Sequence, residues 1–112
     1  MTQTAVAPKL SATDKRMAFI KDCTAAMADH DILAFHSKQA GIEMPAYPLE
    51  KMVEVAQRMS TEGYALGRTD RWRNACEFAL TEIRAAEKAG TLDTSLAHWA
   101  VFQGSVFMGH GA

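Results

Sequence analysis

Apolar residues recur at steps of three and four along most of the chain, which is the spacing of one buried face of a helix. The alternation of apolar and polar residues that marks a half-buried strand is ambiguous over residues 101–107 and missing elsewhere. We therefore predict an all-α fold, a compact bundle of four or five helices. Residues 1–10 show no period and are predicted to form a flexible, disordered arm, whereas residues 11–112 are predicted to form a single helical domain.

Ser11 is predicted to begin the first helix, because Asp14 follows it at the spacing of a capping box. The apolar stripe that follows loses its phase at the Asp-His-Asp of residues 29–31 and resumes out of phase. We predict a break or kink there, with either aspartate able to cap a second helix. That helix is predicted to end at Gly41, since glycine accepts the left-handed conformation that follows many helices, with Ile42 folding back on the last turn.

The middle of the chain predicts two more helices, and Pro48 is well placed as the first residue of one of them. The chain beyond it allows two interpretations: a helix that ends near Gly63, or one long helix whose small residues let a neighbour approach closely. We favour the break, because Thr69 is a good N-cap signal for the next helix, which Gly90 is predicted to end. Four methionines lie on the predicted buried stripes: Met17, Met27, Met52 and Met59.

Residues 96–108 are apolar on nearly every side of a helix, after a turn in which Asp93 or Thr94 is the predicted cap. Either the other helices cover this helix as a central core element, or part of its surface is exposed in the monomer. In the second case that surface is buried in a homodimer or against a protein partner, for which aromatic anchors are typical. The residues predicted for this partner or dimer interface are Trp99, Phe102, Val106, Phe107 and Met108.

A basic cluster opens the helix before it, and its members are Arg68, Arg71, Arg73 and Asn74. A helix-turn-helix protein presents such residues to the major groove. Against this interpretation, the connection over residues 60–68 exceeds the usual turn of about three or four residues, and Asp70 interrupts the cluster. The 12 Lys+Arg and 13 Asp+Glu leave no basic excess. We favour a solvated first turn, or a contact patch for an acidic protein partner, with Trp72 in the core.

Metal and catalytic signatures are missing. His30 and His36 are six residues apart, about 240° around a helix, and neither has a ligand four residues on. No nucleophile elbow, phosphate-binding loop or HExxH motif occurs. We predict no cofactor and no metal. Cys23 and Cys76 lie within helical patterns and are predicted to be buried thiols in a reducing cytoplasm.

The 112 residues are 48% hydrophobic, which excludes disorder for most of the chain, and the longest apolar stretch is too short to span a membrane. We predict a small, non-enzymatic cytoplasmic protein that binds another protein, as an adaptor, regulator or stoichiometric inhibitor, with its last helix as a homodimer interface. The analogy is to small helical proteins of phages and plasmids. The alternative is a helix-turn-helix-like nucleic-acid-binding regulator, and a third is a metal protein or enzyme around the histidines.

Overall fold

Four helices make up the computed structural model, which describes residues 10–111. They are α1 (Ala12–Gln39), α2 (Leu49–Arg58), α3 (Asp70–Ala89) and α4 (Thr94–Gly111), and a π-helical segment, Met59–Gly63, continues α2 directly. No strand occurs within residues 10–111, so the predicted all-α bundle is confirmed. The predicted flexible arm, residues 1–10, lies outside the described residues except for Leu10.

α1 is one uninterrupted helix of 28 residues, and the break predicted at residues 29–31 is wrong. The stripe of α1 that faces the core contains Phe19, Cys23 and Met27, at steps of four, and no residue after Met27 is buried. The apolar residues that resume out of phase are 57–60% exposed: Ile32, Leu33 and Phe35. The change of phase therefore marks the place where α1 leaves the core, and neither aspartate caps a helix.

Local signals set both ends of α1 as predicted. The Asp14 backbone N–H donates a hydrogen bond to Ser11 Oγ at 3.1 Å, which caps the first turn. At the other end Gly41 adopts a φ of 77°, and the Ile42 N–H donates to the Ser37 carbonyl at 2.8 Å. This is the Schellman pattern, which satisfies the last carbonyls of the helix.

The caps of the later helices are also confirmed. The Trp72 N–H donates to Thr69 Oγ1 at 3.2 Å, and the Leu96 N–H donates to Asp93 Oδ1 at 2.8 Å. Gly90 ends α3 with a φ of 74°. Pro48, predicted as the first residue of its helix, precedes α2 by one position.

The predicted break after α2 is confirmed, since the π-helical segment gives way to a turn at residue 66 and α3 begins at residue 70. The indole Nε1–H of Trp72 donates to the Gly63 carbonyl at 2.7 Å and so links the end of the π-helical segment to α3. A Cβ added at Gly63 would lie 2.7 Å from Phe19 Cε2 and 3.3 Å from Cys76 Sγ. Three elements therefore meet around a residue that has no side chain.

The core lies between α3 and α4 and is closed by α2, the π-helical segment and the first half of α1. Of the four methionines predicted to be buried, Met27, Met52 and Met59 are, and Met17 is not. Met17 is 46% exposed because it lies about 200° around α1 from Phe19, which faces the core. Both cysteines are free and buried, as predicted.

Candidate functional site

The side chains of α4 are distributed in an unusual way, because all of its aromatic residues face water while its core side consists of small residues together with Val101 and Met108. Its fully buried residues include Ala97, Ala100 and Gly104. On the opposite side, four large side chains are each 38–56% exposed: Trp99, Phe102, Val106 and Phe107. We call these four residues the α4 ridge. Phe102 and Val106 follow Trp99 at steps of three and four, and Phe107 lies eight residues after Trp99, so all four share one side of the helix, within about 140° of its circumference.

The small residues of α4 let its backbone approach α3 closely. A Cβ added at Gly104 would lie 3.3 Å from Ala79 Cβ and 2.9 Å from Met59 Cε. No aromatic side chain fits between helices at this separation, so the aromatic residues of α4 must lie on its outer side. α4 is therefore not a central helix covered on every side.

Four of the five residues predicted for the interface form the α4 ridge, and the fifth, Met108, does not. Met108 is fully buried in the core, so its placement at an exposed surface is wrong. It follows Val101 by seven residues and Gly104 by four, and both of those face the core, so helical geometry turns Met108 the same way.

A groove of about 510 Å³ lies between α3 and α4, and we call it the α3 groove. Its apolar floor includes Phe78, whose ring packs edge-on against Phe107 at 5.2 Å and against Trp99 at 5.8 Å. Arg71 and Asn74 of the predicted basic cluster line the same groove, together with His110. The structure thus brings together two groups of residues that the sequence had singled out separately.

A second groove, of about 340 Å³, lies on the other side of the α4 ridge, and we call it the α1 groove. Its lining is mostly apolar and includes Ile20 and Met27 of α1 and Phe102 and Val106 of α4. At its rim His98 Nε2 lies 3.1 Å from a carboxylate oxygen of Asp31. The α4 ridge therefore stands between two grooves.

The predicted basic cluster is divided by the fold. Arg68, Arg71 and Asn74 are exposed, as a solvated first turn requires. Arg73 is only partly exposed, with its aliphatic stem close to Gly67, and its Nη1 pairs with the exposed Asp70 at 3.0 Å. Trp72 is fully buried, which confirms its assignment to the core.

The histidines singled out by the sequence have separate surroundings. His30 Nε2–H donates to the Pro45 carbonyl at 2.9 Å, and its ring packs edge-on against Tyr47, which holds the α1–α2 linker against α1. His36 is exposed. Among residues 10–111 no three His, Cys, Asp or Glu side chains converge as metal ligands would.

The thiols of Cys23 and Cys76 are both protonated at physiological pH, because burial raises their pKa values. Burial raises the pKa of the Cys23 thiol to about 11 and that of the Cys76 thiol to about 12. Both side chains are therefore neutral at physiological pH, and the thiolate is the form that attacks electrophiles or binds metals.

Sequence reasoning missed both grooves and the role of Phe78. The signal for Phe78 is its place in a stripe of α3 with Arg71 and Ala75, at steps of four and three, beside the buried stripe of that helix. Comparison with known proteins finds no family model, no curated protein and no solved structure that matches the chain. Within the part of the chain that the structure describes, no helix has the length and hydropathy to cross a bilayer.

Proposed function

We propose that this chain is a small protein-binding protein that uses the α4 ridge as its contact surface. The observation that carries the proposal is the exposure of one side of α4, which leaves three aromatic residues in water. Aromatic side chains bury about 150–250 Å² each when they are covered, so three that are about half exposed leave on the order of 300 Å² of apolar surface. A patch of this size on a monomer is often functional.

The surroundings of the α4 ridge support the same proposal. Polar side chains border it on both sides, Arg71, Asn74 and His110 toward α3, and Asp31 and His98 toward α1. An apolar centre with a polar rim is the usual organisation of a protein–protein interface. The fold adds aromatic anchors at the centre, where most binding energy is found.

We further propose that the protein acts in the cytoplasm and without catalysis, as an adaptor, regulator or stoichiometric inhibitor. Free, buried thiols at Cys23 and Cys76 support a reducing compartment. Their raised pKa values also support a role other than nucleophilic catalysis.

The test compares Phe102→Glu with a matched control, Phe35→Glu. Both phenyl side chains are exposed, at 56% and 60%, but Phe35 lies on α1 outside the α4 ridge. Tagged wild-type protein and both variants are incubated with lysate of the native cell, and co-purified proteins are quantified by mass spectrometry. We expect Phe102→Glu to lose at least nine-tenths of a partner that wild type and Phe35→Glu retain.

Circular dichroism and thermal unfolding check that Phe102→Glu keeps its fold, which is expected because the side chain is at the surface. If the folded Phe102→Glu variant captures the same proteins in the same amounts as wild type, the α4 ridge is not the contact surface and the proposal fails.

Nucleic-acid binding is the second candidate, because one observation removes an objection to it. The helical stretch that begins with α2 continues to residue 65, so the turn before α3 covers only residues 66–69 and the longer connection inferred from the sequence is wrong. Arg68, Arg71 and Asn74 are exposed beside this turn, as in a helix-turn-helix protein. An Arg71→Ala, Arg73→Ala variant should then lose a gel shift on duplex DNA at low salt, and no shift by the wild type would end this alternative.

A further inference from the structure

We infer that the partner that covers the α4 ridge is a second copy of this chain, with the two α3 helices antiparallel across a two-fold axis near Phe78. This inference rests on the proposed function, because it names the occupant of the same surface. Two properties of the surface carry it: its size and the order of its charges.

The size of the surface suits a stable dimer. α4 has 18 residues and is therefore about 27 Å long. Packed helices lie about 8–10 Å apart, so the strip between the axes of α1 and α3 is about 18 Å wide and roughly 500 Å² in projection. The accessible area of a ridged surface exceeds its projection, which brings this strip toward the ~600–1,000 Å² that each partner contributes to a standard interface.

The charges favour a second copy over an unrelated partner. α4 contains no Lys, Arg, Asp or Glu, so nothing along the α4 ridge repels its own copy. Beside it, one stripe of α3 has Arg71 at its start, Phe78 in its middle and Glu82 at its end, all on one side of the helix. Neither Arg71 nor Glu82 has an ion pair within residues 10–111.

In the antiparallel arrangement, Arg71 of each copy lies opposite the partner's Glu82. The two residues are 11 positions apart on α3, about 16 Å along the helix, and Phe78 lies near the midpoint. Because of the two-fold symmetry, the dimer contains two such ion pairs. A partner that was simply acidic would match Arg71 but would place like charges against Glu82.

The first experiment measures the mass of the purified full chain by light scattering after size exclusion, between about 1 and 100 µM. We expect the wild type and Phe35→Glu to reach twice the chain mass of 12.3 kDa, and Phe102→Glu to remain a monomer. A wild type that is a monomer at 100 µM overturns the inference, and so does a dimer that Phe35→Glu dissociates and Phe102→Glu does not.

The second experiment tests the arrangement by exchanging the charges. Arg71→Glu and Glu82→Arg should each weaken dimerisation about tenfold or more, because each places two like-charged pairs across the axis. The double variant Arg71→Glu, Glu82→Arg should recover to within about threefold of the wild type. If the double variant is as weak as the single variants or weaker, the antiparallel arrangement is wrong.

The two proposals fail in different ways. A monomeric wild type whose captured partner is lost on Phe102→Glu overturns the dimer and leaves the proposed function standing. A dimer that persists in folded Phe102→Glu, with unchanged capture of other proteins, overturns both.

Discussion

Burial in the core raises the pKa of two side chains, the thiols of Cys23 and Cys76. Both thiols lie in the region where α1, the π-helical segment and α3 meet, and neither is exposed by more than 4%. Burial is the main cause of the raised pKa of each thiol, because a thiolate there would lose its hydration. Arg58, paired with Asp22 and Glu62, lowers the pKa of Cys23 but does not cancel the effect of burial.

The raised thiol pKa values predict a loss of stability in alkaline solution. Both thiols keep their protons in the folded chain up to about pH 11, whereas in the unfolded chain they lose them near pH 9. The unfolded state thus binds fewer protons between these pH values, so the free energy of unfolding falls as pH rises through this window. The slope is on the order of 1 kcal/mol per pH unit for each thiol.

Urea denaturation at pH 7.5, 9 and 10.5 measures this effect. A Cys23→Ala, Cys76→Ala variant is the control, since it keeps every lysine and tyrosine that also titrates in this range. We expect the variant to be less stable than the wild type at pH 7.5, because methyl groups fill less of the core, and to lose less stability by pH 10.5. Parallel decreases in the two proteins would show that the thiols ionise normally in the folded chain.

Helix ends were predictable from the sequence, whereas helix continuity was not. Ser11 and Thr69 begin helices, and Gly41 and Gly90 end them, through contacts within a few residues. Such contacts involve only residues close together in the sequence, so the local sequence predicts them. The phase change at residues 29–31 is local as well, but its meaning depends on where the core ends, which only the packing of α2, α3 and α4 decides.

The exposed side of α4 was one of two alternatives that the sequence left open, and its two grooves were not predicted. A helix with large apolar residues on several sides is either covered by its neighbours on each side or left partly exposed as a contact surface. Which side is uncovered depends on the close approach of Gly104 to Ala79, and this also turns Met108 inward. Each groove is formed by residues of two different helices, so no pattern within one stretch of sequence predicts it.

Gly63 is predicted to be necessary for the close packing of α1, the π-helical segment and α3. In Gly63→Ala the new methyl group would meet the rigid Phe19 ring at 2.7 Å and Cys76 Sγ at 3.3 Å. Overpacking typically costs about 1–3 kcal/mol, and better helix propensity returns up to about 1 kcal/mol. We expect a net loss of about 1–2 kcal/mol in the free energy of unfolding, measured by urea denaturation.

Gly109→Ala is the matched control for this substitution. Gly109 also lies in a helix, but a Cβ there has no atom within 4 Å outside its own helix and neighbours. Its stability should be unchanged or rise by less than about 1 kcal/mol. Equal effects of the two substitutions would mean that the chain does not pack tightly at Gly63.

At the scale of the whole molecule, α1 extends beyond the core that its first half helps to close. Its 28 residues are about 42 Å long, against about 27 Å for α4. Beyond Met27, the last buried residue of α1, the helix is held by two polar contacts, His30 with Pro45 and Asp31 with His98, and by the edge-on packing of His30 against Tyr47. The stability of this part of α1 therefore depends mainly on its own backbone hydrogen bonds, because Ile32 and Phe35 are exposed.

Hydrogen exchange should reveal this division within one continuous helix. Amides of residues 16–27 are expected to exchange only when the core opens, whereas amides of residues 32–39 should exchange at least a hundredfold faster, because local unfolding there exposes little apolar surface. α3 is the internal control, since its buried residues extend from Trp72 to Ala86 and protection should be even along it. Mass spectrometry of peptides from the two halves of α1 makes the comparison. Equal protection of both halves would contradict an uncovered second half and would show that it too is packed against another surface in solution.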